Sequence, residues 1–548
     1  MTSVGRVTLR LAAACLLVLG GLASSLLAAH GPASTSTTSA TATTGLVTSP
    51  ASSVVALSGH GWGHGLGMSQ WGAYGYAKHG WTYDQILAHY YTGTTLGRAK
   101  VATVRVLLEQ AKKVTIGAAV AVKVTDSTGA TALLDPAPLV LKPKLAIVGH
   151  PELQAPFTLT GKEPLTVDGH AYRGKLVVSS DGKRVQVVDV VGLEAYLKGV
   201  VPAEMPSAWA PAALEAQAVA ARSYALANRT GGRDFDLYGD TRDQVYGGVA
   251  AESSAASAAV DATKGQVVLY DGKVADTLFF STSGGRTASS LEAMGTLVPY
   301  LMPVADPYDT LSPYHDWGPV LMDAEKFAKA LHVTAPLADL QTTDGASGRV
   351  KTLTLVSGDD SQLTVSGNAV RAALELRSTW FTPALLTLSA SAKTVTYGGA
   401  VSLTGAAHGV SALSLESRSG GGDWSPVGEL ILGQGGSFAT IAKPQLATEY
   451  RLVWGNVRAG LAKVAVSPRV TAQPATQGVR GAEVPAAAGA AVQLQRQVGT
   501  AWSTLASTTV DAAGAYGFTG PLDAGTYRVR CAPGQGLVPG TSAPFTVA

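Results

Sequence analysis

Cysteine is nearly absent from this sequence. Among 548 residues only Cys15 and Cys531 are cysteines, and Cys15 falls inside an apolar N-terminal run. If that run is removed, Cys531 is the one thiol left, so we predict neither an internal disulfide nor a cysteine-based metal cluster. The fold must then be stabilised by packing.

Charged residues are also scarce, and their signs nearly balance. They make up 14% of the chain, with 41 Lys and Arg against 38 Asp and Glu, and no basic stripe stands out. This pattern argues against nucleic acid as a partner. Ala, Gly, Ser and Thr dominate instead, which is typical of an exported protein rich in β-structure, and the length requires several domains.

The N-terminus has the three parts of a secretory signal. These are a basic start, an apolar run and a small-residue end: Arg6 and Arg10, Leu11–Leu27, Ala28 and Ala29. We predict a signal peptide over residues 1–29 and a protein that is secreted or associated with the cell wall. The alternative is an uncleaved anchor over Leu11–Ala29, the only segment through which we expect membrane contact. Residues 30–57 are rich in Ser, Thr and Ala and predict a flexible linker.

The rest of the chain divides into a mixed region and a strand-only region. Residues 58–383 combine short β-branched runs with a few helices, of which Pro211–Asn228 is the longest, so we predict a β-rich α+β domain. After Pro383 only strand patterns remain, and an order of strand, tryptophan, strand and tyrosine occurs twice. This repeat predicts two all-β immunoglobulin-like sandwiches, over residues 385–468 and 480–548.

Each predicted sandwich contains one central tryptophan, Trp424 in the first and Trp502 in the second. A central tryptophan in a sandwich is more often a core residue, so we predict buried positions for both. The alternative is that these two residues bind carbohydrate at the surface.

Glycine alternates with large side chains in the segment Ser58–Tyr74, which we call the Gly-His segment. Glycine lets the backbone adopt positive φ, as tight turns and closely approaching ligands require. Ser69, Gln70 and Trp71 then add a hydroxyl, an amide and an indole, a combination suited to binding a sugar. The alternative is a purely structural loop.

Two histidines of this segment, His60 and His64, are four residues apart. That spacing suits metal binding only on a helix, and Gly61 and Gly63 disfavour a helix. We therefore predict no zinc site here and keep His64 as a candidate substrate-binding residue.

Glu204 is the strongest candidate for catalysis. It stands between Pro202 and Pro206 and beside Met205, where we predict a rigid turn just before the long helix. Apolar, proline-fixed surroundings should desolvate the carboxyl group, raise its pKa and keep it protonated as a general acid. The alternative is that Glu204 only stabilises the N-terminus of the following helix.

Three separated segments together resemble the SpoIID/LytB family, named for stage II sporulation protein D and the amidase enhancer. They are the Gly-His segment, Val200–Pro206 with the helix after it, and Phe280–Thr287 with Asp306–Tyr308 after it. The resemblance covers residues 58–383. It implies a lytic transglycosylase that acts on peptidoglycan glycan strands, with Glu204 as the catalytic acid and 1,6-anhydro-muramoyl products. The alternative is a non-catalytic wall-binding protein that enhances a partner N-acetylmuramoyl-L-alanine amidase.

The order of the segments departs from the family. The Gly-His segment usually comes last, after a segment like Val365–Arg371, whereas here it comes first. A circular permutation accounts for this if the two ends of the domain lie close together. We therefore predict that residues 58–96 pack near residues 365–383.

The residues around a tripeptide also depart from the family. The sporulation branch carries a Cys/His zinc cluster just before Gln-Val-Tyr. Here the tripeptide Gln244–Tyr246 is present, but Tyr238–Asp243 contains no such ligands. We therefore predict no metal and no cofactor.

Further substrate-binding groups are predicted in the third segment. Ser281 and Ser283 would offer hydroxyls, and Gly284 and Gly285 backbone N–H groups, to hydroxyl and acetamido groups of the glycan. The alternative for the two glycines is a tight β-turn. A nucleophilic serine is disfavoured because neither serine has a recognisable histidine partner in the sequence.

Three residues of the long helix, Gln217, Arg222 and Tyr224, are predicted to face the cleft. Arg222 could hold a substrate carboxylate, and the alternative is a structural role in hydrogen bonds to loop carbonyls. Glu194 is assigned instead to an ion pair with Lys198, four residues further on.

Overall fold

The structure is a computed structural model that describes residues 47–48, 53–100, 103–229 and 233–548. The predicted signal peptide, residues 1–29, and most of the predicted linker, residues 30–57, lie outside the described residues. Across those described ranges, no helix is both long and apolar enough to cross a bilayer.

The described part of the chain contains nine α-helices and thirty-eight strands, numbered in chain order. The helices are α1 (Gln70–Lys78), α2 (Tyr83–Tyr90), α3 (Leu193–Glu204), α4 (Pro211–Ala227), α5 (Gly248–Ala251), α6 (Ser254–Ala262), α7 (Ser290–Met294), α8 (Ala324–Ala330) and α9 (Gly367–Ala373). The strands up to the end of the mixed region are β1 (Val47–Thr48), β2 (Ser53–His60), β3 (Met68–Ser69), β4 (Thr95–Arg98), β5 (Thr103–Ala111), β6 (Val114–Gly117), β7 (Val122–Thr125), β8 (Thr131–Leu134), β9 (Leu139–Leu141), β10 (Phe157–Thr160), β11 (Leu165–Val167), β12 (His170–Tyr172), β13 (Lys175–Ser180), β14 (Val185–Gly192), β15 (Leu237–Tyr238), β16 (Gln266–Tyr270), β17 (Lys273–Val274), β18 (Phe279–Phe280), β19 (Asp316–Asp323), β20 (Leu337–Asp344), β21 (Val350–Ser357), β22 (Gln362–Ser366) and β23 (Phe381–Ala390). The remaining strands are β24 (Thr394–Thr396), β25 (Val401–His408), β26 (Ser414–Ser419), β27 (Ser425–Glu429), β28 (Ser437–Ala442), β29 (Thr448–Trp454), β30 (Val457–Ser467), β31 (Arg469–Ala475), β32 (Gly478–Val484), β33 (Ala491–Val498), β34 (Ala501–Thr509), β35 (Ala515–Phe518), β36 (Gly525–Ala532), β37 (Gly540–Thr541) and β38 (Phe545–Val547).

Helix α4 is the centre of the mixed region, which runs from β2 to β23. Pro211 begins it, as predicted, because proline needs no N–H partner in a first turn. Its small side chains, such as Ala216 and Ala220, are fully buried and let α1, α2, α3, α6 and β16 pack around it. The long helix predicted from the sequence is therefore confirmed.

The predicted β-rich stretch near residues 100–190 forms two sheets beside these helices, antiparallel except that β15 joins β5 in parallel. One has the order β15-β5-β14-β13-β10-β7-β8 and the other β12-β11-β6-β9. Their alternate residues, including Val124, Phe157 and Val178, bury one apolar core. The β-rich, mixed character of this region is thus confirmed.

A third sheet crosses the predicted boundary between residues 383 and 385. Its order is β19-β2-β23-β25-β28, and β23 pairs with β2 on one side and with β25 on the other. The boundary is therefore corrected, because it cuts a continuous strand. The linker boundary at residue 57 is corrected too: β2 begins at Ser53, and its apolar residues Val54–Leu57 are fully buried in this sheet.

Two strand-only units follow. In the first C-terminal unit (β24–β30), side chains of the third sheet and of β26, β29 and β30 share one apolar core. In the second C-terminal unit (β31–β38), the sheets β31-β32-β35 and β34-β33-β36-β37 do the same. Their immunoglobulin-like type stays a prediction.

Trp424 and Trp502 do not lie in the cores of these units, so the prediction for these two residues was wrong. Trp424 and Trp502 are half-buried on outer faces. The guanidinium carbon of Arg451 lies 4.0 Å from the centre of the Trp424 ring, and that of Arg528 lies 4.3 Å from the Trp502 ring. Both arginines alternate with core residues along β29 and β36, so they lie outside the cores, and the indoles stacked on them lie outside too.

Candidate functional site

Glu204 is the last residue of α3, and its side chain is only 8% exposed. The predicted rigid turn is therefore corrected: Pro202 lies inside the helix, and the chain leaves the helix at Met205. Met205 is extended because a residue before proline avoids the helical region, and Pro206 follows it. The carboxyl group thus lies at the C-terminal end of one helix, shortly before α4 begins.

Two donors from distant parts of the chain hold this carboxyl group. The Gln70 side-chain amide donates to Oε2 at 3.3 Å, and the Val245 backbone N–H donates to Oε1 at 3.3 Å. Burial nevertheless raises the pKa of Glu204 from its ordinary 4.5 to about 7. The negative end of the α3 dipole acts in the same direction. Glu204 can therefore hold or release a proton near neutral pH.

The start of α1 places Gln70 at this position. The Ser69 hydroxyl is fully buried and accepts the Gly72 N–H at 3.1 Å, so it caps the helix. The prediction that Ser69 binds substrate is corrected, since its side chain serves this cap. Gln70 and Trp71 begin the first turn, and the Trp71 N–H donates to the Ser281 carbonyl at 3.0 Å.

Three half-buried aromatic rings adjoin this turn. The Trp71 and Trp209 ring centres are 4.7 Å apart, and Tyr74 stacks on Trp209 at 4.7 Å. Trp71 follows Gln70, and Trp209 comes five residues after Glu204, so these rings form an apolar surface near the carboxyl group. The sequence reasoning missed Trp209. Its place soon after the Glu-Met-Pro motif was the available signal.

Arg222 does not face the cleft, so its predicted contact with substrate is corrected. Its side chain is fully buried, donates twice to Glu194 at 3.1 and 2.6 Å, and donates to the Gln266 carbonyl at 3.1 Å. The expected pair between Glu194 and Lys198 is also wrong, since Lys198 bonds Asp261 at 2.9 Å. A buried guanidinium needs a carboxylate, and Glu194 supplies it.

The other two predicted residues of α4 differ in their surroundings. Gln217 is fully buried, and within the described part of the chain neither its amide oxygen nor its amide nitrogen has a hydrogen-bond partner. Tyr224 is half-buried and donates to Asp243 Oδ1 at 3.2 Å. Asp243 directly precedes the tripeptide whose Val245 N–H reaches Glu204, so Tyr224 helps to position that tripeptide.

Ser283, Gly284 and Gly285 are committed to an internal network, which corrects their predicted role. Ser283 Oγ and the Gly284 N–H both donate to Asp309 Oδ2, at 2.8 and 2.7 Å, and the Gly285 N–H donates to Ser283 Oγ at 3.0 Å. His315 Nδ1 bonds the other oxygen of Asp309. Sequence reasoning missed Asp309 and His315, because nothing local connects them to Ser283.

Ser281 keeps a half-buried hydroxyl, 3.3 Å from that of Thr282. Gly284 has φ +75°, and a Cβ there would lie 2.6 Å from the Cβ of His60. The turn therefore requires glycine, as the alternative interpretation of these residues stated.

His64 is also structural, and its predicted substrate contact is corrected. Its Nε2 donates to the Phe279 carbonyl at 3.1 Å, and its Nδ1 accepts the Leu66 N–H at 3.1 Å. Burial lowers the pKa of His64 to about 4, and the charge of Arg371 adds to the effect. The ring is therefore neutral and fully hydrogen-bonded to the backbone.

The Gly-His segment packs against the end of the mixed region, which confirms the packing expected from a permuted order. Gly59 and Phe381 pair in the third sheet. The Gly63 N–H donates to the Arg377 carbonyl at 3.0 Å, and the Ser378 hydroxyl donates to the His60 carbonyl at 2.6 Å.

Metal ligands are not grouped anywhere in residues 47–48, 53–100, 103–229 or 233–548: no three His, Cys, Asp or Glu side chains there lie together so as to hold an ion. Asp243, the acid nearest the tripeptide, accepts the Tyr238 N–H at 2.8 Å in addition to the Tyr224 hydroxyl.

Part of the chain that contains Glu204 is similar in sequence to known proteins. Residues 181–270, which include Glu204 and Val245, match the family model described as stage II sporulation protein. An uncharacterised protein of Brachyspira hyodysenteriae is 38% identical over 146 residues, covering 26% of this chain and 39% of its own. The amidase enhancer of Bacillus subtilis is 39% identical over 140 residues, covering 26% of this chain and 19% of its own.

A third relative, the stage II sporulation protein D of Bacillus amyloliquefaciens, is 34% identical over 145 residues, covering 23% of this chain and 42% of its own. The chain thus spans less than half the length of each of these relatives. The resemblance to the SpoIID/LytB family is confirmed, and it is carried by the part of the chain around Glu204.

Proposed function

We propose that this protein is exported and cleaves the glycan strands of peptidoglycan as a lytic transglycosylase, with Glu204 as general acid and base. The observation that carries the proposal is the state of that carboxyl group. It is buried, its pKa is raised to about 7, and Gln70 and Val245 hold its two oxygens. A carboxyl group of this kind can donate a proton at neutral pH and take one back.

One carboxyl group suffices if the substrate supplies the nucleophile. The C6 hydroxyl of a muramoyl residue attacks its own C1, so the C1–O6 bond forms while the glycosidic C1–O4 bond breaks. Glu204 gives its proton to the departing O4 and accepts the proton of the attacking hydroxyl. The products are a 1,6-anhydro-muramoyl end and a free 4-hydroxyl, and no water is consumed. A hydrolase would need a second carboxyl group to activate water.

Three further features support this proposal. The Trp71, Tyr74 and Trp209 rings present an apolar surface on which the apolar face of a sugar can stack. When Glu204 is ionised, the Gln70 amide and the Val245 N–H stabilise its charge. The basic and apolar N-terminal run, residues 1–29, supports export to the compartment where peptidoglycan lies.

The alternative is a non-catalytic wall-binding protein that enhances a partner N-acetylmuramoyl-L-alanine amidase. It is favoured by the Bacillus subtilis relative, whose name is amidase enhancer. Under this alternative the mixed region binds glycan without cleaving it.

Digestion of purified, peptide-free glycan tests the proposal, with mass spectrometry of the products. We expect anhydro-muramoyl ends from the wild type and from Glu252→Gln, a matched control whose carboxylate pairs with Arg173. We expect a loss of at least about 100-fold in Glu204→Gln, because general acid catalysis contributes this much or more.

Other outcomes separate the two functions. Ordinary reducing ends would show hydrolysis and contradict the proposed reaction. No cleavage by any of the three proteins, together with faster turnover of an added amidase, would establish the alternative.

A further inference from the structure

A cavity of about 560 Å³ lies between the Gly-His segment and two loops of the mixed region. The segment contributes Trp62, the loop before β19 contributes Tyr314, and the loop after α9 contributes Glu375 and Arg377. The volume is in the range of sites for small ligands, and no residue of this cavity takes part in the reaction proposed above.

The guanidinium group of Arg377 is held in place but not neutralised. Its carbon lies 4.4 Å from the centre of the Tyr314 ring and 4.9 Å from that of Trp62, and these two rings meet edge to face at 4.5 Å. It forms no hydrogen bond or ion pair with any described residue. A stacked arginine whose N–H groups are uncommitted is a preformed site for a planar carboxylate.

The other charges of the cavity restrict the ligand further. Two acids line it, Asp316 and Glu375. Asp316 already bonds His60 at 2.6 Å, whereas Glu375 is exposed and pairs with no described residue. Arg377 is the one basic residue in this lining, so a phosphate polymer would meet more negative than positive charge. A ligand with one carboxylate and one ammonium group fits both signs.

Ser281 and Thr282 connect the cavity with the aromatic surface that contains Trp71, beside Glu204. The Trp62 N–H donates to the Thr282 carbonyl at 2.8 Å, and the Trp71 N–H donates to the carbonyl of the adjacent Ser281 at 3.0 Å. The two backbones are therefore roughly 10 Å apart, since adjacent residues are separated by about 3.8 Å. A branch on a glycan bound at Trp71 can reach the cavity.

We propose that this cavity binds the peptide that branches from the wall glycan, with a peptide carboxylate on Arg377 and a side-chain ammonium group on Glu375. The identity of this ligand rests on the proposed function, whereas its charge pattern rests on the cavity alone. The apolar walls formed by Trp62, Tyr314 and Leu376 would hold the aliphatic parts of the peptide.

Calorimetric titration of the full chain tests this with three probes: a wall peptide that has a free C-terminal carboxylate and a side-chain amine, its C-terminal amide, and its side-chain N-acetyl form. We expect the amide to bind at least about tenfold more weakly, since a hydrogen-bonded charge pair is lost. Arg377→Gln should weaken binding of the peptide with a free carboxylate by the same factor. It should leave binding of the C-terminal amide unchanged. Glu375→Gln should weaken binding of the two probes that have a free side-chain amine and leave the N-acetyl form unchanged.

Arg528→Gln is the matched control, since it removes another arginine stacked on a tryptophan, Trp502, in the second C-terminal unit. Equal binding of acid and amide, or equal binding by wild type and Arg377→Gln, would overturn the inference. Glycan cleavage is measured on the same preparations. Cleavage without Arg377-dependent peptide binding removes this inference only, and peptide binding without cleavage removes the transglycosylase only.

Discussion

Three carboxyl groups of the mixed region and two of the first C-terminal unit lie in opposite settings. In the mixed region Asp189, Glu204 and Asp306 are buried, and burial raises the pKa of each to about 7. In the first C-terminal unit Glu416 and Glu449 lie in the outer ion pairs of β26 and β29. Buried acids cost stability when they ionise, whereas outer pairs cost little. The three buried acids of the mixed region can therefore exchange protons near neutral pH.

The largest effect that would test this contrast concerns two arginines. Arg222→Ala should lower the free energy of unfolding of the mixed region by about 3–5 kcal/mol, because it breaks a buried pair with Glu194. Arg418→Ala, which removes an outer partner of Glu449, should cost about 1 kcal/mol or less. Scanning calorimetry of the full chain measures both, and equal losses would contradict the contrast.

A second effect concerns pH. The native state holds protons on Asp189, Glu204 and Asp306 that the unfolded chain releases above its ordinary pKa values. Their contribution to stability is therefore full below about pH 4 and is lost as pH rises through 7. Each group makes the free energy of unfolding fall by up to about 1.4 kcal/mol per pH unit within that window.

Glu204→Gln should remove one of these three contributions, so its stability should fall less steeply between pH 5 and 7 than that of the wild type. Glu449→Gln is the control. Bonds from Lys463 and Arg418 lower the pKa of Glu449, so it titrates below this window. Denaturant unfolding at several pH values gives the slopes, and parallel curves for wild type and Glu204→Gln would show that Glu204 is ionised throughout.

The smallest effect concerns tryptophans. Trp209→Ala should raise the KM for glycan between about twofold and tenfold, because one ring of the stacked surface is lost. Trp424→Ala should leave the KM unchanged, since its ring is occupied by Arg451. Steady-state rates on soluble glycan fragments measure both constants. A rise in KM for Trp424→Ala would instead assign glycan binding to the C-terminal units.

Local patterns in the sequence predicted much of the fold and the state of Glu204. Pro211 and the glycine-free stretch after it predicted α4, and the prolines around Glu204 indicated a dry setting. The predicted turn was wrong because Pro202 is tolerated inside α3. The contact between Gln70 and Glu204 joins residues 134 positions apart, and no local pattern reports such a distance.

For Trp424 the sequence contained a signal of its outer position, whereas for Ser283 it contained none. Arg451 lies between the core residues Tyr450 and Leu452 on one strand, so alternation alone puts it outside, and a tryptophan stacked on it must be outside too. For Ser283 the missing information was its partner. Asp309 and His315 are brought to it by the fold, and the sequence carries no spacing that connects them.

Strand β23 determines where the chain can be truncated and how force passes between its regions. The first part of its ten residues pairs with β2, which leads into the Gly-His segment. The last part pairs with β25, which belongs to the first C-terminal unit. Dividing the chain at residue 384 would cut this central strand in two. Neither half would then contain the complete sheet. A force applied to the C-terminal units would likewise be transmitted to the loop around His60 through the hydrogen bonds between β23 and β2, and not through a flexible linker.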